Sequence, residues 1–161
     1  MIRFRPLAEE DFPMLLDWLQ REHVKEWWDD GDDALDKVSA HYGAADGTKR
    51  FIAQRDDLAI GYFQYSRSTE HQIFCDQFLA NAADLSRGIG TECLSEFIAL
   101  VADVDAPHAL LVDPVPANRR AIRCYEKCGF VYDQSLSSDS LYCMVRVLRR
   151  VIDTQSETKA R

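Results

Sequence analysis

Residues 113–130 of this chain of 161 residues read Asp-Pro-Val-Pro-Ala-Asn-Arg-Arg-Ala-Ile-Arg-Cys-Tyr-Glu-Lys-Cys-Gly-Phe. Apolar residues follow the two prolines at helical spacing, and Tyr125 shares their stripe. Asn118 is a residue type that caps helix starts, and Gly129 is typical of the position just past a helix end. The stretch therefore predicts a helix over residues 117–128, lying between two strands.

A segment with two glycines lies upstream, at the predicted start of another helix. Residues 85–91 read Leu-Ser-Arg-Gly-Ile-Gly-Thr, and the apolar spacing after them predicts a helix over 88–103. The N–H groups at a helix start form an anion site, and glycine lets a phosphate approach the backbone closely. Arg87 adds a positive charge. The segment is neither a Walker loop nor a Rossmann fingerprint, because no Gly-Lys-Ser/Thr follows and the third glycine is missing.

The rest of the chain predicts a mixed sheet in a single domain, residues 1–150. Hydrophobic periodicity predicts two further helices, over 8–20 and 33–42, and seven strands, over 2–6, 50–55, 58–65, 71–79, 108–112, 130–135 and 141–148. The strands between residues 50 and 79 form an antiparallel meander. A strand–helix–strand unit follows, so the fold class is α/β or α+β. The polar tail 151–161 is predicted to be disordered.

The net charge of the chain indicates which classes of ligand it can bind. The chain carries 27 acidic and 19 basic residues, a formal net charge of −8. This charge disfavours nucleic acid and anionic membranes, since both are bound by clustered Lys and Arg, and it fits a cationic ligand. Many soluble proteins are equally acidic, so the charge supports the functional interpretation without deciding it.

Cysteine usage and hydropathy indicate a reducing, aqueous compartment. None of the cysteines, at positions 75, 93, 124, 128 and 143, forms a Cys-x-x-Cys pair, so we expect reduced thiols and no metal site. The N-terminus lacks a signal-peptide core, and no apolar run approaches the roughly 20 residues that a membrane span needs. We therefore expect a cytoplasmic protein, either a monomer or a homodimer.

Two features together resemble the GNAT acetyltransferase superfamily: the loop 87–91 and the motif Asn-x-x-Ala-x-x-x-Tyr-x-x-x-Gly-Phe, from Asn118 to Phe130. The resemblance extends to about residue 148. It implies a mixed, mostly antiparallel central sheet of about seven strands flanked by about four helices, with a V-shaped splay between two central parallel strands. It also implies acetyl-CoA as cosubstrate and no metal.

The superfamily resemblance assigns the cofactor half of a site. It implies that the loop holds the CoA pyrophosphate, that Asn118 lies beside the pantetheine arm, and that Tyr125 is the general acid for the CoA thiolate. Leu85 stands where the superfamily often has Gln or Arg, so the loop resembles the variant with a basic residue before its glycine. The residues predicted to bind the cofactor are Gln77, Phe78, Leu79, Arg87, Gly88, Ile89, Gly90, Thr91, Asn118, Ala121 and Tyr125.

Three segments narrow the resemblance to the aminoglycoside 6′-N-acetyltransferases. They are residues 113–130, residues 76–81 (Asp-Gln-Phe-Leu-Ala-Asn) and residues 23–28 (His-Val-Lys-Glu-Trp-Trp), in the same order as in that family. The family match implies that Asp76 and Asp113 lie near the amines of the drug, and that Trp27 and Trp28 border the same pocket. The implied reaction is acetylation of a polycationic aminoglycoside, at its 6′-amine, which confers antibiotic resistance.

Physical chemistry fits these acceptor-side roles. An amine must be neutral to attack a thioester, so the site must bind a cation and then remove a proton, and carboxylates do both. Asp76 and Asp113 are therefore predicted to be catalytic together with Tyr125. Trp27 and Trp28 supply an apolar wall or a cation–π face. The alternative is that Tyr125 and one tryptophan are core residues.

The segment before Asp76 departs from the aminoglycoside family. Those enzymes carry a longer stretch, rich in Trp and acidic residues, where this chain has only residues 66–75, and Phe78 replaces a small polar residue. This predicts a more open acceptor pocket with fewer carboxylates. Two alternatives therefore stay open: an acyltransferase for another small amine or hydroxylamine, as in siderophore assembly, and a CoA-binding module without catalysis.

Overall fold

The computed structural model describes residues 1–148. The tail 151–161 lies outside them, so its disorder stays a prediction. The helices and strands, in chain order, are β1 (Ile2–Pro6), α1 (Phe12–Leu19), α2 (Glu22–Lys25), α3 (Leu35–Tyr42), β2 (Lys49–Arg55), β3 (Leu58–Arg67), β4 (Gln72–Leu79), α4 (Ile89–Asp105), β5 (Ala109–Val112), α5 (Arg119–Lys127), β6 (Val131–Tyr132) and β7 (Met144–Val147).

The strands form one seven-stranded sheet in the order β1-β2-β3-β4-β5-β7-β6. Strands β4 and β5 are parallel, and the other neighbouring pairs are antiparallel. The predicted fold class is confirmed. The helices number one more than expected over residues 1–148, because the single turn α2 was not predicted. No helix in this part of the chain is both long enough and apolar enough to cross a bilayer.

The two parallel strands at the centre of the sheet, β4 and β5, pair only near their starts and then diverge. Strand β4 pairs with β5 only from Gln72 to Phe74, yet it continues to Leu79 beside β3. Ala80 N donates to Ile60 O at 2.8 Å in the β3–β4 ladder. Because bonding direction alternates along an antiparallel ladder, the N–H groups of Gln77 and Leu79 face the gap between β4 and β5. This gap is the predicted splay.

Side chains on the two faces of β4 pack into two different hydrophobic cores. Ile73, Cys75 and Leu79 belong to the larger core with residues of α4 and α5, whereas Phe78 packs on the smaller core beneath α1 to α3. Successive side chains of a strand point to opposite faces. Gln77 therefore faces α5, and Asp76 faces the side of α2.

Several predicted boundaries are wrong at the ends of elements. Strand β6 ends at Tyr132, not at residue 135, because the Asp133 carboxylate accepts hydrogen bonds from Ser135 N and Leu136 N and starts a 3-10 turn. Helix α5 begins at Arg119, because Asn118 Oδ1 caps it by accepting from Ala121 N at 3.1 Å. Both corrections come from short polar side chains that satisfy backbone N–H groups locally.

The predicted helix 8–20 and the last predicted strand are also shorter than expected. The helix opens with a 3-10 turn at Glu9–Asp11, and α1 starts at Phe12. The strand predicted over 141–148 begins only at Met144. Its preceding residues bend instead, since Cys143 N donates to Ser137 Oγ at 2.9 Å rather than to a neighbouring strand.

Candidate active site

The gap between β4 and β5 opens into a cavity of about 490 Å³. Most of the predicted site residues line it: Trp27, Trp28, Asp76, Gln77, Phe78, Leu79, Gly88, Gly90, Thr91, Asp113, Asn118, Ala121 and Tyr125. Arg87 and Ile89 do not. Arg87 is exposed to solvent, and Ile89 packs against the larger core. The cavity therefore brings the predicted cofactor and acceptor residues together.

The loop before α4 has the geometry of an anion site. Gly88 caps the helix with a φ of +84°, and a Cβ at this position would have no heavy atom within 4 Å. Ser86 is also left-handed, with a φ of +59°. This backbone presents the first N–H groups of a 17-residue helix toward open space beside the cavity.

One face of α5 adds positive charge to the same cavity. Arg120, Arg123 and Lys127 line the cavity at a spacing of three and four residues, which places them along one side of the helix. These three residues were not among the ligand-binding residues predicted from the sequence. The signal was present, since a chain with a net charge of −8 concentrates basic residues in this helix.

Tyr125 is buried between α5 and β4. Its Oη accepts a hydrogen bond of 2.7 Å from Gln77 Nε2, and its ring packs edge-on against Phe130. Burial, and then the negative charge of Asp76, raise the pKa of Tyr125 well above its usual value. The phenol is therefore protonated at neutral pH and has a proton to donate. Tyr125 is thus both a core residue and a wall of the cavity.

Asp76 and Asp113 place two carboxylates in one cavity. Burial raises the pKa of Asp76 to about 6, and the charge of Asp113 acts in the same direction. Asp113 is exposed at the cavity rim, and partial loss of water around its carboxyl group raises its pKa as well. Two carboxylates that each lack full solvation favour binding of a cation.

The two tryptophans predicted to border the acceptor pocket follow α2, and Trp28 is fixed by a contact with α3. Trp28 Nε1 donates to Tyr42 Oη at 3.0 Å, and its ring packs edge-on against Phe78 at a centroid distance of 5.2 Å. Trp27, partly buried, also lines the cavity. His23, which sequence analysis did not assign to the site, lies here too and donates from Nε2 to Leu79 O at 3.0 Å.

A family model for the GNAT acetyltransferase domain matches residues 8–137 of this chain. The chain belongs to the GNAT acetyltransferase family. This GNAT acetyltransferase is 34% identical over 148 residues to the aminoglycoside N(6′)-acetyltransferase type 1 of Klebsiella pneumoniae, covering 80% of this chain and 73% of that protein. The predicted resemblance, including its narrower aminoglycoside branch, is confirmed.

Solved structures support the same assignment for this GNAT acetyltransferase. The aminoglycoside acetyltransferase AAC(6′)-Ib in complex with paromomycin and acetyl-CoA superposes with a TM-score of 0.83 at 31% identity, over 97% of this chain and 98% of that one. Its complex with coenzyme A and kanamycin gives a TM-score of 0.82 at 31% identity, over 92% and 95%.

Proposed function

We propose that this GNAT acetyltransferase transfers the acetyl group of acetyl-CoA to the 6′-amine of a polycationic aminoglycoside, and thereby confers antibiotic resistance. One observation carries the proposal: a single cavity is lined by a helix start that can bind an anion, by basic side chains and by two carboxylates. Acetyl-CoA is anionic at its diphosphate and an aminoglycoside is polycationic, so both substrates match the cavity. The named relatives and the bound ligands of AAC(6′)-Ib support it.

The cofactor end fixes the thioester. The diphosphate binds the first N–H groups of α4, from Gly88 onward, with Arg120 and Arg123 nearby. The pantetheine arm then follows the gap between β4 and β5. The N–H groups of Gln77 and Leu79 face this gap, so one of them stabilises the oxyanion that forms on the thioester carbonyl.

The acceptor end activates the amine. Asp76 and Asp113 bind the ammonium groups of the drug, and Trp27 and Trp28 contact its sugar rings. Asp76, ionised above its pKa of about 6, takes a proton from the reacting ammonium directly or through a water. The neutral amine attacks the thioester carbon, a C–N bond forms and the C–S bond breaks, and the attacking nitrogen releases its second proton to water. Tyr125 gives its proton to the departing sulfur.

A different small amine or hydroxylamine is the second candidate acceptor. The segment that is long in the aminoglycoside enzymes is here a tight turn between β3 and β4, where Ser68 N donates to Gln72 O at 2.9 Å. None of residues 66–75 lines the cavity. The acceptor end therefore has no cover from this segment, which favours either a shifted drug range or a smaller substrate. Cytoplasmic location and a monomeric or dimeric state stay predictions.

The test is a thiol-release assay with acetyl-CoA and a panel of acceptors. The panel contains kanamycin- and gentamicin-type drugs, a polyamine and hydroxylamine, and mass spectrometry and NMR locate the added acetyl group. We expect the highest kcat/KM with a drug that carries a 6′-amine, and a raised inhibitory drug concentration in a susceptible host. A higher kcat/KM for the polyamine or hydroxylamine would favour the second candidate, and binding of acetyl-CoA without thiol release would indicate a non-catalytic module.

A further inference from the structure

Within residues 1–148, the side chain of Gln77 makes one hydrogen bond, and that bond goes to Tyr125. Nε2 of Gln77 lies 2.7 Å from Tyr125 Oη, and an amide N–H only donates. Oε1 of Gln77 is fully enclosed and accepts no hydrogen bond from residues 1–148. Burying an amide oxygen without a partner is costly, so the position holds Gln77 at the expense of stability.

The direction of this bond decides where the tyrosine proton points. Because the phenol oxygen accepts from Gln77, its own O–H is not used by Gln77 and is available to a group in the cavity, which both residues line. The opposite amide orientation would have made the phenol donate to Oε1 and withhold its proton. The orientation in the structure is the one that suits an acid.

The surroundings of Tyr125 make such help necessary. Burial, and then the negative charge of Asp76 on β4, raise the pKa of Tyr125. The hydrogen bond from Gln77 lowers it. A donor to the phenol oxygen stabilises the negative charge that develops there when the proton leaves. Gln77 thus opposes the other groups around the phenol.

We propose that Gln77 is a positioning residue that directs the Tyr125 proton toward the sulfur of CoA and stabilises the phenolate formed when that proton transfers. The inference rests on the proposed acetyl transfer, in which the C–S bond breaks, the sulfur takes the proton and Tyr125 is later reprotonated by solvent. Gln77 itself gains and loses no proton. Its role is distinct from that of its backbone N–H, which faces the gap between the strands.

Two substitutions separate this role from simple packing. Gln77→Glu keeps the shape and offers only an acceptor, so the phenol donates to it and the added charge opposes phenolate formation. Gln77→Met keeps the volume and removes the donor. We expect kcat to fall roughly 10- to 100-fold in Gln77→Met, the loss for one hydrogen bond to a group that develops charge. In Gln77→Glu we expect a loss of about 100-fold or more, near that of Tyr125→Phe.

A double-mutant cycle decides the outcome. Each Gln77 substitution is repeated in the Tyr125→Phe background, with thiol release followed at saturating acetyl-CoA and acceptor. We expect almost no further loss of kcat there, since the residue through which Gln77 acts is absent. KM for acetyl-CoA should stay within about twofold, because the substitutions remove a side-chain bond to Tyr125 and keep the backbone N–H that faces the gap.

The possible results separate a failure of the role proposed for Gln77 from a failure of the proposed acetyl transfer. Equal losses from Gln77→Met with and without the phenol would overturn the inference, as would full activity of Gln77→Glu. If Gln77→Glu fails to fold by circular dichroism, the Gln77→Met cycle alone decides. If the wild type releases thiol and the Gln77 variants have the same kcat as the wild type, only this inference is refuted. Absence of thiol release by the wild type with every acceptor refutes the proposed function and this inference with it.

Discussion

Replacing Asp76 by asparagine should make the protein more stable and much less active at neutral pH. Asp76 lies in the cavity, where burial and the charge of Asp113 raise its pKa from 3.8 to about 6. The folded protein therefore holds this carboxylate in an environment that disfavours its charge. A residue that binds a cation needs that property, because the substrate supplies the missing counter-charge.

The size of the effect follows from linkage. The pKa of Asp76 is higher in the folded protein than in the unfolded chain. The stability that protonated Asp76 contributes is therefore fully present below about pH 4 and is lost as the pH rises through about 6. The shift in the pKa of Asp76 from 3.8 to about 6 corresponds to a loss of about 3 kcal/mol at most in the free energy of unfolding, at 1.36 kcal/mol per pKa unit. For a domain of this size that is about 6–12 °C in Tm. Asp76→Asn cannot ionise and avoids this cost.

Urea denaturation of wild type and Asp76→Asn between pH 5 and pH 8 measures the difference directly. We expect the variant's advantage in unfolding free energy to grow with pH and to level off above pH 7. The matched control is Asp103→Asn, an exposed carboxylate on α4, which should show no such trend. An Asp76→Asn variant that is less stable than wild type at pH 8, or whose advantage does not change with pH, would refute the reasoning.

Three further predictions concern the chemistry and the cofactor end. Tyr125→Phe should lower kcat by roughly 10²- to 10⁴-fold with both KM values nearly unchanged, because only the proton donor is lost. Asp113→Asn removes a charge that raises the pKa of Asp76, so the acid limb of kcat/KM for the acceptor should move from near pH 6 to lower pH. Gly88→Ala strains a φ of +84° by about 1–2 kcal/mol and should raise KM for acetyl-CoA more than for the acceptor.

Each of these has a control or a contrary outcome. Unchanged kcat in Tyr125→Phe would remove the phenol as the acid. Superimposable pH profiles of wild type and Asp113→Asn would mean that the two carboxylates do not interact. For Gly88→Ala the matched control is Gly47→Ala, at a φ of +83° with equal free space but outside the cavity lining. It should cost similar stability and leave KM unchanged, and an equal rise in KM would indicate a general effect of strain.

Local sequence patterns determined the elements that carry the site. Asn118 and Gly129 act within a few residues of themselves, one by accepting from a backbone N–H and the other by adopting a φ of +83°. The helix between them was therefore predictable to within two residues at its start. The alternation in β4 likewise separates Asp76 from Gln77, since successive side chains face opposite sides.

Only the tertiary structure decided how these elements share one cavity. Strands β4 and β5 pair over three residues and then separate, and this gap depends on packing between distant parts of the chain. The raised pKa of Asp76 and the hydrogen bond from Gln77 to Tyr125 depend on the same packing. It also leaves Arg87 outside the cavity and brings Arg120 into it. Sequence spacing encodes local geometry, whereas burial and the coupling of charges arise from contacts between residues far apart in the chain.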